Sequence, residues 1–218
     1  MIDKTEIKNT TGLVWFGNDL RIHDNDVLSL AVKNHTKVIG VFIIDPFLFE
    51  ENKFGFKKMD VFRAQFLLES LHDLKHQLLT KNISLLVYLD KPEIKLKAIC
   101  DSYQIDSIYK QKEWTHEENI SKIKVQKSLQ NTIKIIEVYN QFLYHPEDVN
   151  IKIENIPQVF SNLRKKLEKY VAVRANTEVQ KLNSTNIINT TNHIPTLNEL
   201  GFKSVSYTHL TLPTIYSV

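Results

Sequence analysis

Residues 12–34 read GLVWFGNDLRIHDNDVLSLAVKN, and their order decides the fold class. The apolar, β-rich segment 12–16 runs into the polar residues Asn18 and Asp19, and then into Val27, Leu28, Leu30 and Ala31 at helical spacing. Strand, loop and helix in that order make half of a βαβ unit. Asp24 or Asn25 is placed to cap the helix, because a short side-chain oxygen accepts from the free amides of the first turn. The next strand, VIGVFII at 38–44, follows at once and is apolar on both faces. A central parallel strand covered by helices on both sides requires that pattern.

The alternation continues outward. Leu67, Leu71, Leu74 and Leu78 mark the buried face of a helix over residues 60–80, and SLLVYL at 84–89 gives the next strand. Pro92 opens a helix over 92–103, at a position where a missing N–H costs nothing. Strands at 107–110 and 134–139 flank a helix over 117–129. Five strands alternating with four helices predict a doubly wound, mainly parallel five-stranded α/β sheet with helices on both faces, Rossmann-like. In such sheets ligands sit beyond the carboxyl ends of the strands, here the loops after Phe16, Ile44, Leu89, Lys110 and Tyr139. Beyond residue 150 an amphipathic helix over 158–173 precedes an Asn/Thr-rich stretch, 177–195, whose composition reads as linker. The last stretch, SVSYTHLTLPTIYSV, suits none of the preceding elements and looks like a translated sequencing adapter. The expected division is an α/β domain at 11–150, helix and linker at 151–203, and a non-native tail at 204–218.

The chain's 218 residues allow one core of ordinary size, not a second full domain. Hydrophobic residues at 42% and charged residues at 24% argue for a folded globular body, and a net charge of +3 permits a nucleic-acid partner without demanding one. The single cysteine, Cys100, lies among Ile94, Leu96 and Ile99 and reads as a small buried residue; a disulfide framework is excluded. No apolar run approaches a membrane span, and the first residues carry no hydrophobic signal core, so cytoplasmic residence is expected. The glycines stand at 12, 17, 40, 55 and 201, too far apart for either glycine-rich phosphate loop, which argues against nicotinamide dinucleotides and P-loop chemistry.

The segment VWFGNDLRIHDN, residues 14–25, is similar to the V-W-F-R-N-D-L-R-x-x-D-N signature that opens photolyases and cryptochromes. Trp15, Asn18, Asp19, Arg21, Asp24 and Asn25 are the matching residues, and Gly17 stands where the family usually has arginine. Taken on their own chemistry, Asp19 and Arg21 pin the loop through an ion pair or hydrogen bonds; ordering the turn and touching a ligand are both open roles. Asp45-Pro46, the helix from Phe62 to Leu78 and Lys91-Pro92-Glu93 follow in family order, with Phe47 replacing a second usual arginine. Arg63, Gln65, Glu69 and Ser70 resemble the corresponding helix of the DASH branch, as do NQFLYHPEDV at 140–149 and PQVFSNLRKKLE at 157–168. The resemblance covers residues 11–202.

Within it, QKEWTHEE at 111–118 resembles the loop that meets the antenna chromophore 5,10-methenyltetrahydrofolate in folate-binding members. Glu113 is the residue carried over. A carboxylate accepts two-pronged hydrogen bonds from the amino group and ring N–H of a pterin. Trp114 and His116 offer planar contact. Glu117 is a second candidate, although Glu117 and Glu118 also fit the first turn of a helix, where negative charge offsets the helix dipole. The resemblance further implies a separate helical domain holding FAD in the full-length protein. Its light-driven chemistry is repair of cyclobutane pyrimidine dimers in damaged DNA, single- or double-stranded, or else photoreception. This chain then carries no catalytic residue and no metal, and a monomer is expected. Arg164, Lys165, Lys166 and Lys169 read as a solvated helix face, with DNA phosphates as the other reading. The alternative to an antenna domain is a stand-alone nucleotide- or folate-binding module without catalysis.

Overall fold

The computed structural model describes residues 10–202 apart from 52 and 131, so the expected tail at 204–218 lies outside the described residues. The elements are β1 (Thr11–Trp15), α1 (Asp26–Asn34), β2 (Lys37–Ile44), α2 (Val61–Thr80), β3 (Ser84–Leu89), α3 (Pro92–Tyr103), β4 (Ser107–Gln111), α4 (His116–Ser128), β5 (Lys134–Val138) and α5 (Phe160–Tyr170). The five strands form one sheet in the order β3-β2-β1-β4-β5, and every pairing is parallel. The expected doubly wound α/β class is what the chain adopts.

Alternate strand residues face opposite sides, as the pleat demands. On one side Val14, Phe16, Val38 and Phe42 pack with Val27 and Leu28 of α1 and with Ala64, Leu68, Leu71, Leu74 and Leu78 of α2. On the other, Leu13, Trp15, Ile39 and Val41 pack with Leu96, Ile99 and Cys100 of α3 and with Val125 of α4. Cys100 is buried there, and burial pushes its thiol up to about 12, which leaves it an inert packing group. The α2 face differs from the expected one by a residue: Leu68 is buried, while Leu67 is half-buried at the cluster's margin. Ala64 sets this phase, since its small side chain lets the helix sit flat on the sheet.

Asn25 caps α1, its side-chain oxygen accepting from Leu28 N at 3.0 Å. Asp24 instead takes a left-handed backbone, φ 47°, and its carboxylate accepts from Thr177 N at 3.0 Å. Helix α5 is shorter than expected, and none of its described residues is buried.

The stretch from 177 onward is not the free linker its composition suggests. Val179, Ile194 and Leu200 are buried in the first core cluster. The Asn186 side chain accepts from Val38 N at 3.0 Å and donates to Val38 O at 2.9 Å and to Asn82 O at 2.7 Å. Asn192 does the same for Val87, at 2.8 and 2.9 Å, on the outer edge of β3. An asparagine amide carries the same donor and acceptor as a peptide group, so it completes a strand where no neighbouring strand reaches. Composition reports that such a residue is polar, and the contacts show that it closes the sheet.

Candidate functional site

The chain leaves β1 for β2 on one side, and β4 lies on the other, so the strand order reverses between β1 and β4. The loops there diverge and leave a crevice at the carboxyl ends. A cavity of about 580 Å³ occupies it, bounded by Trp15, Gly17, Phe42, Lys110, Gln111 and Glu113.

The first wall is the loop after β1. Asp19 is 1% exposed; its Oδ1 accepts from Gly17 N at 2.9 Å, while Oδ2 has no hydrogen bond among the described residues. Burial pushes the Asp19 carboxyl up; the Gly17 and Asp19 amides and the Arg21 charge pull it back in part. Of the two expected ways for Asp19 and Arg21 to pin the loop, the hydrogen bond is the one present: Arg21 N donates to Asp19 O at 2.7 Å, and no side-chain ion pair joins them among the described residues. Arg21 donates instead to His23 O and Asp24 O, both at 3.2 Å, and to Asn140 O at 2.9 Å, tying the loop to the end of β5. Asn25 Nδ2 closes the turn on Arg21 O at 2.9 Å. Asp19, Arg21, Asp24 and Asn25 therefore shape the loop. Trp15 and Asn18 line the cavity.

The second wall is β4 and the loop after it. Glu113 is 8% exposed. One carboxylate oxygen accepts from Gln111 Nε2 at 3.1 Å and the other from Gln141 Nε2 at 2.9 Å. Each oxygen has a second lone-pair direction left for a ligand. Glu117 borders the cavity but is exposed and paired with Lys58, whose ammonium stands 4.5 Å from the centre of the Phe47 ring. Trp114 and His116 do not line the cavity. Trp114 stacks on Tyr139, ring centres 5.6 Å apart, with Phe142 against its edge at 5.8 Å.

Three residues of this site were not legible in the sequence: Lys110, Gln111 and Gln141. Lys110 is 6% exposed, and its ammonium lies 4.3 Å from the Trp15 ring centre. Burial pushes that ammonium down from its ordinary value; Glu137, Glu113 and Asp19 oppose the shift from a distance. A lysine following the apolar pair Ile108 and Tyr109, near the carboxyl end of a strand in a doubly wound sheet, is the signal that points to it. The Gln111 Oε1 atom is buried without a hydrogen bond among the described residues.

Comparison with known proteins agrees with this fold. Residues 12–183 match the DNA photolyase family. Cryptochrome DASH of Gloeobacter violaceus is 35% identical over 164 residues, 75% of this chain and 33% of that protein. The blue-light photoreceptor PHR2 of Arabidopsis thaliana is 32% identical over 158 residues, 72% of this chain and 35% of its own length. The crystal structure of the Synechocystis sp. PCC6803 cryptochrome superposes with a TM-score of 0.80 at 31% identity, over 92% of this chain and 42% of that one. An archaeal photolyase from Sulfolobus tokodaii, described with two FAD molecules, shares the fold at 24% identity and a TM-score of 0.65, over 79% of this chain and 38% of its own. The chain spans about a third of the length of the curated relatives it matches. It belongs to the DNA photolyase family, as the amino-terminal α/β domain of the DASH-type cryptochrome branch.

Proposed function

We propose that this domain is the light-harvesting part of a blue-light flavoprotein, holding a folate antenna through Glu113. The observation that carries the reading is the Glu113 carboxylate, steadied by two glutamine amides at the switch-point cavity with acceptor capacity to spare. The pterin edge of 5,10-methenyltetrahydrofolate presents the amino and ring N–H donors that such a carboxylate accepts. When bound, that group absorbs near-ultraviolet or blue light and passes the excitation to a flavin. Gln111 and Gln141 hold the carboxylate's orientation; Trp15 and Phe42 supply apolar wall. Glu117, engaged with Lys58, serves the rim in this reading, not the pterin.

In the whole protein, a further region supplies the FAD site, and its partner is damaged DNA or a signalling component. One observation supports the second reading, a stand-alone module without catalysis: residues 15–124 of this chain bound the cavity on their own. The two readings separate on one preparation. The protein is expressed with any coding sequence that continues the frame, purified in the dark, and scanned for absorbance. Flavin and folate bands together support the antenna reading; a folate band from a chain that ends at Val218 supports the module; the absence of both rejects the cofactor assignment.

A further inference from the structure

One wall of the cavity is the turn that follows β2, where Asp45, Phe47, Leu48 and Glu50 line it. The hydrogen bonds of this turn are local. Phe47 N donates to Asp45 Oδ1 and Leu48 N to Asp45 O, both at 3.0 Å, and Leu48 O accepts from Met59 N at 2.9 Å. None of residues 46–49 is fully buried, and among the described residues no hydrogen bond joins residues 46–50 to the sheet. A segment with so little backbone support opens at low cost unless side chains pin it.

The pin is Phe202. Its ring meets Phe49 edge-on, with centres 5.7 Å apart and planes at 71°, and the Lys57 ammonium stands 5.9 Å from its centre. Phe202 is itself placed by a turn that is closed at both ends. At the start, Thr196 N donates to Glu199 Oε2 at 2.6 Å and Glu199 N donates to Thr196 Oγ1 at 3.3 Å, the reciprocal pairing that caps a helical turn. At the end, Gly201 takes a left-handed backbone, φ 84°, and Phe202 N donates back to Leu197 O at 2.9 Å, which directs the next apolar residue onto its own turn. Leu200 anchors the turn in the first core cluster, and Leu48, Phe49, Leu197 and Phe202 pack at that cluster's margin.

We propose that the turn 196–202 is a positioning element for the cavity: Phe202, acting through Phe49, sets where the 45–50 wall stands and how long the cavity keeps its ligand. Phe202 does not line the cavity, so its effect is on the wall and not on ligand chemistry. For the ligand's identity this rests on the antenna reading; the wall and its pin are read without any ligand.

Hydrogen exchange of the 218-residue chain, read by mass spectrometry without ligand, tests the pin. In Phe202→Ala the amides at 47–50 are expected to exchange about tenfold faster, and in Phe202→Tyr, which keeps the ring, at the parent rate, with β2 and β3 unchanged in both. Glu199→Ala, a surface change that removes the cap, is expected to raise exchange at 47–50 about threefold and decides the matter if Phe202→Ala does not fold. Parent-like exchange at 47–50 in a folded Phe202→Ala or in Glu199→Ala, or a rise spread equally over β2 and β3, overturns the proposal. With 5,10-methenyltetrahydrofolate loaded, release from Phe202→Ala is expected to be about tenfold faster, and an unchanged release rate also overturns it. A parent chain that takes up no folate fails the antenna reading alone, because the exchange result is obtained without ligand.

Discussion

Asn186→Ala tests whether the Asn/Thr-rich stretch is part of the fold. The substitution removes the acceptor for Val38 N and the donor to Val38 O and Asn82 O. Val38 is fully buried at the start of β2, before β3 begins to pair with it, so water does not replace the lost bonds there. A buried backbone group left without a partner costs about 1–3 kcal/mol. The two Val38 groups dominate, since the bond to Asn82 O is only part-buried, and the expected loss is about 2–5 kcal/mol. For a domain of this size, that lowers the thermal midpoint by roughly 5–15 °C. Urea unfolding followed by circular dichroism measures it, with an unchanged denaturant slope showing that the loss is in stability and not in two-state behaviour. A change under about 0.5 kcal/mol, the scale of an ordinary surface substitution, would refute the reasoning and return residues 177–195 to a linker.

Three further outcomes follow from the core and the buried charges. Leu68→Ala, which opens a void in the first core cluster, is expected to cost about 2–5 kcal/mol in urea unfolding, and Leu67→Ala clearly less; the reverse order would put the α2 face back by one residue. The Asp19 carboxyl is pushed above 3.8, so the folded chain holds that proton more tightly than the unfolded one, and its ionisation weakens folding as pH rises through the raised value. Asp19→Asn is therefore expected to be more stable than the parent at neutral pH, with the gap closing on acidification toward 3.8; a gap that ignores pH counts against burial as the cause. Lys110 is pushed below 10.5, so the unfolded chain takes the proton more readily, and the parent gains stability as pH rises from the lowered value to 10.5. Lys110→Met lacks that dependence, and parallel stability-against-pH curves for the two proteins would contradict the assignment.

Most of the fold was open to reading because period and punctuation coincide in this chain. Pro92 begins α3 and the apolar run 84–89 is β3, both to the residue. Two leucines in succession, 67 and 68, left the phase of α2 ambiguous, and Ala64 resolves it only once the sheet is present. The role of the stretch from 177 onward was hidden because Asn186 and Asn192 act as stand-ins for backbone, a role that depends on which strand edges happen to lack a neighbour. Part of the cavity's lining was named beforehand: Glu113 through the resemblance of residues 111–118 to a family loop and Trp15 and Asn18 through the signature after β1, while Lys110 was counted only as the end of a short strand. Its ammonium lies over the Trp15 ring, a contact made across the sheet that the sequence around Lys110 does not announce. Gln141 is 28 residues from Glu113, and only the adjacency of β4 and β5 brings them together.

The central claim is that Glu113 holds a folate antenna, and one comparison bears on it most directly. The protein, with any continuing coding sequence restored, is loaded with 5,10-methenyltetrahydrofolate in the dark beside its Glu113→Gln variant, and bound folate per chain is read by absorbance. The account predicts stoichiometric folate in the parent and its loss in the variant; folate retained at the parent's stoichiometry by Glu113→Gln would contradict it.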